Sequence, residues 1–198
     1  MSPSLLTALF GFAFVTTATP GPNNLMLLAS GANFGFRRTL PHMTGIVVGL
    51  AVLTLLAGFG LMALFEAVPA LRTTLQVFCI GYLFWLAWKV ATAAPLKEAS
   101  SPGRPMTFLQ AAAFQWVNPK AWAIGLSAIT VYAPDRSLLS VTLVAVAFTV
   151  ACFPASSMWA WMGTVIRQWL SNERRRQIFN ITMAALLIGT LYPVLRSL

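Results

Sequence analysis

The stretch Thr19-Pro20-Gly21-Pro22-Asn23-Asn24 lies inside the first long apolar segment of this chain, at about residues 4–30. Proline has no backbone N–H to donate to the carbonyl four residues earlier. A helix that continued through these two prolines would therefore release the carbonyls of Thr16 and Ala18, and the glycine between them removes side-chain bulk. The stretch predicts an apolar helix that is broken deep inside and exposes polar backbone there.

A second break of the same kind is predicted at Val117-Asn118-Pro119-Lys120, within an apolar segment at about residues 107–131. A helix running through Pro119 would release the carbonyl of Gln115. Lys120 lies about 13 residues into this segment, roughly 20 Å along a helix from its start and near the middle of a membrane. An ammonium group at that depth is costly unless it faces a polar cavity. The sequence therefore predicts a polar cavity at Lys120.

Composition identifies the chain as a membrane protein. Only 9% of its 198 residues are charged, whereas soluble proteins average roughly 25%. Hydrophobic residues make up 58% of the chain, which is more apolar surface than a fold in water could cover. A soluble enzyme is excluded. The net charge of +9 is spread between apolar segments and forms no stripe or tail, so nucleic-acid binding is not expected either.

The cysteines give no sign of a disulfide framework or a metal site, because Cys79 and Cys152 both lie within apolar runs. We expect no cofactor and no metal. No Lys or Arg precedes the first apolar run, so we expect no cleaved secretory signal and a first segment that stays in the mature protein.

Six apolar stretches are long enough to cross a membrane, for which an α-helix needs about 20 residues. We predict an all-α membrane protein with one polytopic transmembrane domain over residues 1–198. Nine of the 13 Lys and Arg residues follow the first, third and fifth stretches. Because cytoplasmic loops carry the excess of such residues, both termini are predicted to be periplasmic. The stretches lie at about 4–30, 42–65, 73–93, 107–131, 138–162 and 177–195.

The two broken helices each open a unit of three spans, which predicts an inverted repeat. Three is an odd number, so the second unit, at about residues 105–198, must lie upside down relative to the first, at about 1–95. Helices 1 and 4 are broken at Pro20-Gly21-Pro22 and Asn118-Pro119. In transporters of this design the substrate binds near the membrane midplane, between the ends of such broken helices.

The breaks offer groups that suit a zwitterion. Released carbonyls would bind an ammonium group, and the helix that resumes at Asn23 presents N–H groups and a partial positive charge to a carboxylate. Lys120 would bind the substrate carboxylate or, alternatively, cap released carbonyls. The alternative for both breaks is a kink used for packing alone. The predicted substrate-binding residues are Pro20, Gly21, Pro22, Asn23, Asn24, Gln115, Asn118, Pro119 and Lys120.

Three further features carry less weight in the functional interpretation. Gly45 and Gly49 form a GxxxG step, which ordinarily means close helix packing. His42 is interpreted as an interfacial histidine, with a proton relay as the alternative. Pro154, followed by Ser156, makes the fifth stretch either a cavity wall or a plain hinge.

Four segments carry a resemblance to a known family: TPGPNN, GANFGFRRTLPHMTGIVVG, GYLFWLAWKVAT and FQWVNPKAW. Together they resemble the LysE/RhtB family of bacterial amino-acid exporters, and most closely the branch that exports cysteine and O-acetylserine. The resemblance implies an antiporter in the bacterial inner membrane that exports a small amino acid or derivative, of the cysteine, O-acetylserine, threonine or homoserine class, and is driven by the proton gradient. Its expected partners are an amino acid, protons and the lipid bilayer, and a homo-oligomer is compatible with the sequence.

The chain departs from the family pattern in its fifth stretch. Many members carry an acidic residue there, whereas the corresponding segment VACFPASSMWAW has none. All four acids of the chain lie at span ends or in loops: Glu66, Glu98, Asp135 and Glu173. No intramembrane carboxylate is therefore predicted to carry a coupling proton. The competing functions are a scaffold that transports nothing and, less favoured, a membrane-embedded enzyme, which would need a nucleophile with a base, paired carboxylates or metal ligands.

Overall fold

A computed structural model describes residues 1–61, 67–92 and 104–192 of the protein. Every regular element within those ranges is a helix, which confirms the all-α prediction. Eight α-helices follow one another: α1 Pro3–Ala18, α2 Pro22–Phe34, α3 Phe36–Leu56, α4 Pro69–Ala91, α5 Phe108–Val117, α6 Pro119–Tyr132, α7 Leu138–Ile166 and α8 Glu173–Gly189. A π-helical segment, Ala57–Leu61, continues α3, and a 3-10 turn, Trp169–Ser171, precedes α8.

Both predicted breaks are present. The first apolar stretch is divided into α1 and α2, whose axes meet at an angle of 57°. The fourth is divided into α5 and α6, with Asn118 as the residue between them. Helix α5 begins at a capping box, in which Thr107 and Gln110 exchange side-chain and backbone hydrogen bonds, so the leading half of this stretch has a well-defined start.

The described residues include two helices that are long and apolar enough to cross a membrane, Phe36–Gly60 and Leu138–Ile166. The bent pair of α1 and α2 is a third span if the two halves cross together. Large apolar side chains cover much of the outer surface, among them Phe14, Phe78 and Leu139. Large exposed apolar side chains in this number suit contact with lipid.

Helix α2 crosses α7 at very short range. A Cβ added at Gly31 would meet the backbone carbonyl of Ala160, and one added at Gly163 would meet the carbonyl of Leu28. Each glycine therefore lies directly against the backbone of the other helix. Small residues at such crossings let two helices approach closely in a membrane, where packing replaces the hydrophobic effect between helices.

Helix α3 crosses α5 in the same manner. Gly45 lies against the carbonyl of Phe108, and a Cβ at Gly49 would lie 2.7 Å from the Cα of Ala112. The packing interpretation of the GxxxG step is thus confirmed. This crossing fixes α5, and with it the second break, against the long helix α3.

The buried apolar residues form two clusters. One includes Leu9, Ile46, Leu50 and Phe148, contributed by α1, α3 and α7. The other includes Leu25, Leu83, Phe114 and Leu187, from α2, α4, α5 and α8. Each cluster joins helices from both halves of the chain, so the halves are packed into each other and not set side by side.

Candidate functional site

The two breaks meet at one small cavity. Five of the predicted site residues line it: Gly21, Asn23, Asn24, Asn118 and Lys120. The rest of the wall is formed by residues of α1, α3, α6 and α7. It includes apolar side chains of the first cluster, and it also includes the polar groups of Cys152 and Ser156. The other four predicted residues, Pro20, Pro22, Gln115 and Pro119, do not line the cavity.

The cavity is too small for an amino acid in this conformation. Its volume is about 20 Å³, which is room for about one water molecule. An amino acid could enter only if the helices around the breaks moved apart. The helices in this structure are therefore arranged too closely around the breaks to hold an amino acid in the cavity.

The chain leaves helix α1 before the first proline, and side chains satisfy the carbonyls that lose their helical partners. Thr19 has extended backbone angles, φ −64° and ψ 149°, and its Oγ1 donates to the carbonyl of Thr16 at 2.9 Å. The carbonyl of Ala18 accepts from Nε1 of Trp159, on α7, at 2.9 Å. These are the two carbonyls that the proline positions predicted to be released, and both have donors.

Asn24 donates hydrogen bonds to the backbone of the first break. Its Nδ2 donates to the carbonyls of Thr17 and Thr19, both at 2.7 Å. The side chain is only 4% exposed. Both hydrogen bonds of the Asn24 amide nitrogen are therefore made to the backbone of the break.

Lys120 reaches across from the second break and caps the first. Its Nζ donates to the carbonyl of Thr19 at 2.6 Å, to Oγ1 of Thr19 at 2.9 Å and to the carbonyl of Pro20 at 3.2 Å. The lysine stem passes over Gly21, where an added Cβ would lie 2.6 Å from Cδ of the lysine. This conformation matches the alternative in which Lys120 caps released carbonyls; binding of a substrate carboxylate stays a prediction.

The second break is closed by Asn118, which ends α5 and begins α6. Its backbone N–H donates to the carbonyl of Gln115 at 3.3 Å, so the carbonyl predicted to be released by Pro119 has a partner. Its Oδ1 accepts from the backbone N–H of Lys120 at 3.1 Å, as an N-cap residue does. Its own carbonyl accepts from the N–H of Ala121 at 3.0 Å.

A pair of amide side chains connects the two breaks. Asn23 Nδ2 donates to Oε1 of Gln115 at 2.8 Å, and Gln115 Nε2 donates to Oδ1 of Asn23 at 3.1 Å. Gln115 Nε2 also donates to the carbonyl of Ala111 at 2.9 Å, and the residue is fully buried. Buried reciprocal hydrogen bonds of this kind fix two helices in one relative position.

Sequence reasoning missed Trp159 and the threonines that contribute to the break. Thr16 and Thr17 line the cavity, yet threonine in an apolar helix is too common to have indicated a site. Trp159 lies three residues beyond Ser156, whose stretch was interpreted as either a cavity wall or a hinge. Ser156 does line the cavity, and this indicates a wall.

His42 lies inside the helix packing. It is 1% exposed, and within the described part of the chain neither ring nitrogen has a hydrogen-bond partner. The imidazole therefore does not face the lipid–water interface, which the interfacial interpretation would require. It also does not line the cavity at the breaks.

Comparison with known proteins gives consistent matches over almost the whole chain. The family model described as "LysE type translocator" matches residues 14–192. The "Cysteine/O-acetylserine efflux protein" of Escherichia coli (strain K12) is 33% identical over 190 residues, which cover 95% of this chain and 96% of that protein. The protein of the same description from Shigella sonnei (strain Ss046) has the same identity and coverage. No solved structure matches the chain.

Proposed function

This chain belongs to the LysE family of translocators, and from that premise we propose that it exports a small amino acid or amino-acid derivative across a bacterial inner membrane. The observation that carries the proposal is the meeting of two broken helices, from opposite halves of the chain, at one cavity to which both breaks contribute polar side chains. The relatives described as cysteine/O-acetylserine efflux proteins support a substrate of that class, with threonine and homoserine as further candidates.

The proposed site recognises both charged groups of an amino acid. The carbonyls of Thr19 and Pro20 already accept an ammonium group, that of Lys120, so the substrate ammonium would find suitable oxygens there. The first turn of α2, which begins at Pro22, leaves N–H groups without helical partners and favours a carboxylate. Lys120 would provide a second partner for that carboxylate.

We propose alternating access between two inverted repeats, and the helix packing supports it. Helices α1 and α2 pack on α7, and α5 and α6 pack on α3; α3 packs on α7, and α4 on α8. Exchanging the two halves converts the contacts of α1 and α2 with α7 into those of α5 and α6 with α3, and it converts the other two contacts into themselves. Such exchange is expected of repeats that rock about a shared site. In this layout both termini are periplasmic.

Proton coupling is part of the proposal because the family resemblance implies it. Asp135, in the loop before α7, is a poor carrier for that proton. Its Oδ1 accepts from the hydroxyl of Ser140 at 2.6 Å, and hydrogen bonds from Ser140 and Ser137 lower the pKa of its carboxyl. It therefore stays ionised near neutral pH, on an exposed loop.

A scaffold without transport is the second candidate, because two breaks whose carbonyls already have donors would also serve packing alone. Transport in proteoliposomes separates the two. Purified protein would be reconstituted, loaded with labelled cysteine, O-acetylserine, threonine or homoserine in turn, and followed for efflux. We expect at least one of them to leave faster than from protein-free vesicles. No flux above that background for any amino acid of a broad panel would contradict export and favour the scaffold.

A further inference from the structure

The Lys120 ammonium lies where a substrate ammonium is proposed to bind. It has three oxygen partners on the first break, at 2.6, 2.9 and 3.2 Å, although its backbone belongs to the first turn of α6 at the second break. Accepting oxygens arranged around one nitrogen are what an amino-acid ammonium group requires. Thr19 and Pro20 are exposed and do not line the cavity, so it is the lysine, and not the size of the cavity, that occupies these oxygens.

We propose that the Lys120 ammonium takes the place of the substrate ammonium when the carrier is empty. It then binds the Thr19 and Pro20 carbonyls and so permits the empty carrier to return. This inference rests on the proposed function. An exporter must close around an empty site in every cycle that moves net substrate. Within a membrane-spanning segment, backbone carbonyls without a donor cost free energy, and the lysine removes that cost.

The other donors at the first break cannot play this part, because they are held in place. Asn24 is buried and bonds the carbonyls of its own break, and Trp159 bonds the carbonyl of Ala18. Lys120, in contrast, is half-buried, on a flexible stem. When a substrate ammonium takes the carbonyls, the lysine ammonium is displaced by a short distance and is then available to the substrate carboxylate.

Gly21 makes room for this arrangement. Its backbone is extended, with φ 177°, a conformation that any residue adopts, so backbone strain does not require glycine here. The requirement is space: a Cβ would lie 2.6 Å from Cδ and 3.1 Å from Nζ of Lys120. Gly21→Ala therefore shifts the lysine while the carbonyls remain.

The test compares two assays on the same proteoliposomes, with equal pH inside and outside. Net efflux into substrate-free medium needs the return of the empty carrier. Exchange, with saturating amino acid on both sides, does not. For Lys120→Met we expect the ratio of net efflux to exchange to fall about tenfold or more, the effect of losing charge-assisted hydrogen bonds. For Gly21→Ala we expect a smaller fall in the same direction.

The control is Gly11→Ala in α1, where an added Cβ meets nothing within 4 Å; its ratio should equal that of the unsubstituted protein. An unchanged ratio in both Lys120→Met and Gly21→Ala, with net efflux and exchange reduced equally, would overturn the proposal and leave Lys120 as a substrate ligand only. If Lys120→Met fails to insert, the ratio in Gly21→Ala decides. Absence of both fluxes in the unsubstituted protein would instead contradict the proposed export.

Discussion

The two breaks are built from similar residues but are held in different ways. At the first break, carbonyls are bonded by side chains that include two from distant helices, Trp159 on α7 and Lys120 on α6. At the second, Asn118 closes the chain on itself through its own backbone and one side-chain oxygen. The first break therefore depends on the arrangement of the whole bundle, whereas the backbone groups of the second break have their partners within a few residues.

This difference indicates which hydrogen bonds would change in the proposed transport cycle. A break that relies on distant donors changes its hydrogen bonds whenever those helices shift, so it can respond to a substrate. A break whose backbone hydrogen bonds are local would keep them when its helices shift, so Lys120 would move together with the second break. We infer that the second break delivers Lys120 and that the first break is where the ligand and the lysine exchange places.

The largest effect is expected where the first break is attached to the bundle. In Gly31→Ala, the new Cβ would collide with the carbonyl of Ala160 and force α2 away from α7. We expect a loss of about 1–3 kcal/mol, typical of overpacking, measured by thermal unfolding in detergent. Gly11→Ala is the matched control. If Gly31→Ala is as stable as that control, the close crossing is not needed to hold the first break.

A second pair of variants compares the breaks directly. Asn24→Ala removes the donor to the Thr17 carbonyl and one donor to the Thr19 carbonyl, and a buried acceptor without a partner costs about 1–3 kcal/mol. Asn118→Ala removes an N-cap, which typically costs about 1 kcal/mol. We therefore expect Asn24→Ala to be the less stable of the two in the same unfolding assay. The reverse order would mean that the second break depends on its side chain more than the first.

The link between the breaks is tested by a double-mutant cycle on Asn23→Ala and Gln115→Ala. The reciprocal amide pair predicts a coupling of about 0.5–1.5 kcal/mol in stability. Gln115→Ala alone should cost more than Asn23→Ala, because Gln115 is fully buried and Asn23 is not. We also expect Asn23→Ala to insert normally and to bind the transported amino acid more weakly. Strictly additive stabilities would show that the two breaks are not joined by this pair.

The smallest effect is expected at His42, which belongs to neither break. Its ring nitrogens have no hydrogen-bond partners among the described residues. His42→Leu therefore removes two buried polar atoms without removing a hydrogen bond to any of those residues. The change should leave stability equal or raise it by up to about 1 kcal/mol. A clear loss of stability, or a loss of export at unchanged stability, would assign the imidazole a role.

Local chemistry made part of this site predictable. Proline inside a helix leaves a carbonyl without its usual donor. Helices α3 and α7 nevertheless continue through Pro41 and Pro154, so it was the grouping of proline with glycine and asparagine that predicted the two breaks. The depth of Lys120 indicated a polar cavity, because a charged side chain inside a membrane-spanning helix is costly unless it faces polar groups. The GxxxG step at Gly45 and Gly49 predicted a close helix crossing, because both glycines lie on one helix and form a motif that can be recognised in the sequence.

The partners of these residues could not be predicted, because they lie far away along the chain. Trp159 is separated from Ala18 by 141 positions, and Gln115 from Asn23 by 92. Only the packing of the helices brings them together. Gly31 and Gly163 were missed for the same reason, since the two glycines of that crossing lie on different helices and form no motif in the sequence.

The central claim, that an amino acid binds where the two breaks meet, is tested most directly at Cys152. This buried thiol lines the cavity, and Cys79→Ala removes the other of the two cysteines. The measurement is the rate at which a small water-soluble alkylating reagent modifies Cys152 in proteoliposomes, as the concentration of a transported amino acid is raised. We predict saturable protection, with half-protection at the concentration that half-saturates transport. A rate that does not change at concentrations that saturate transport would contradict the claim.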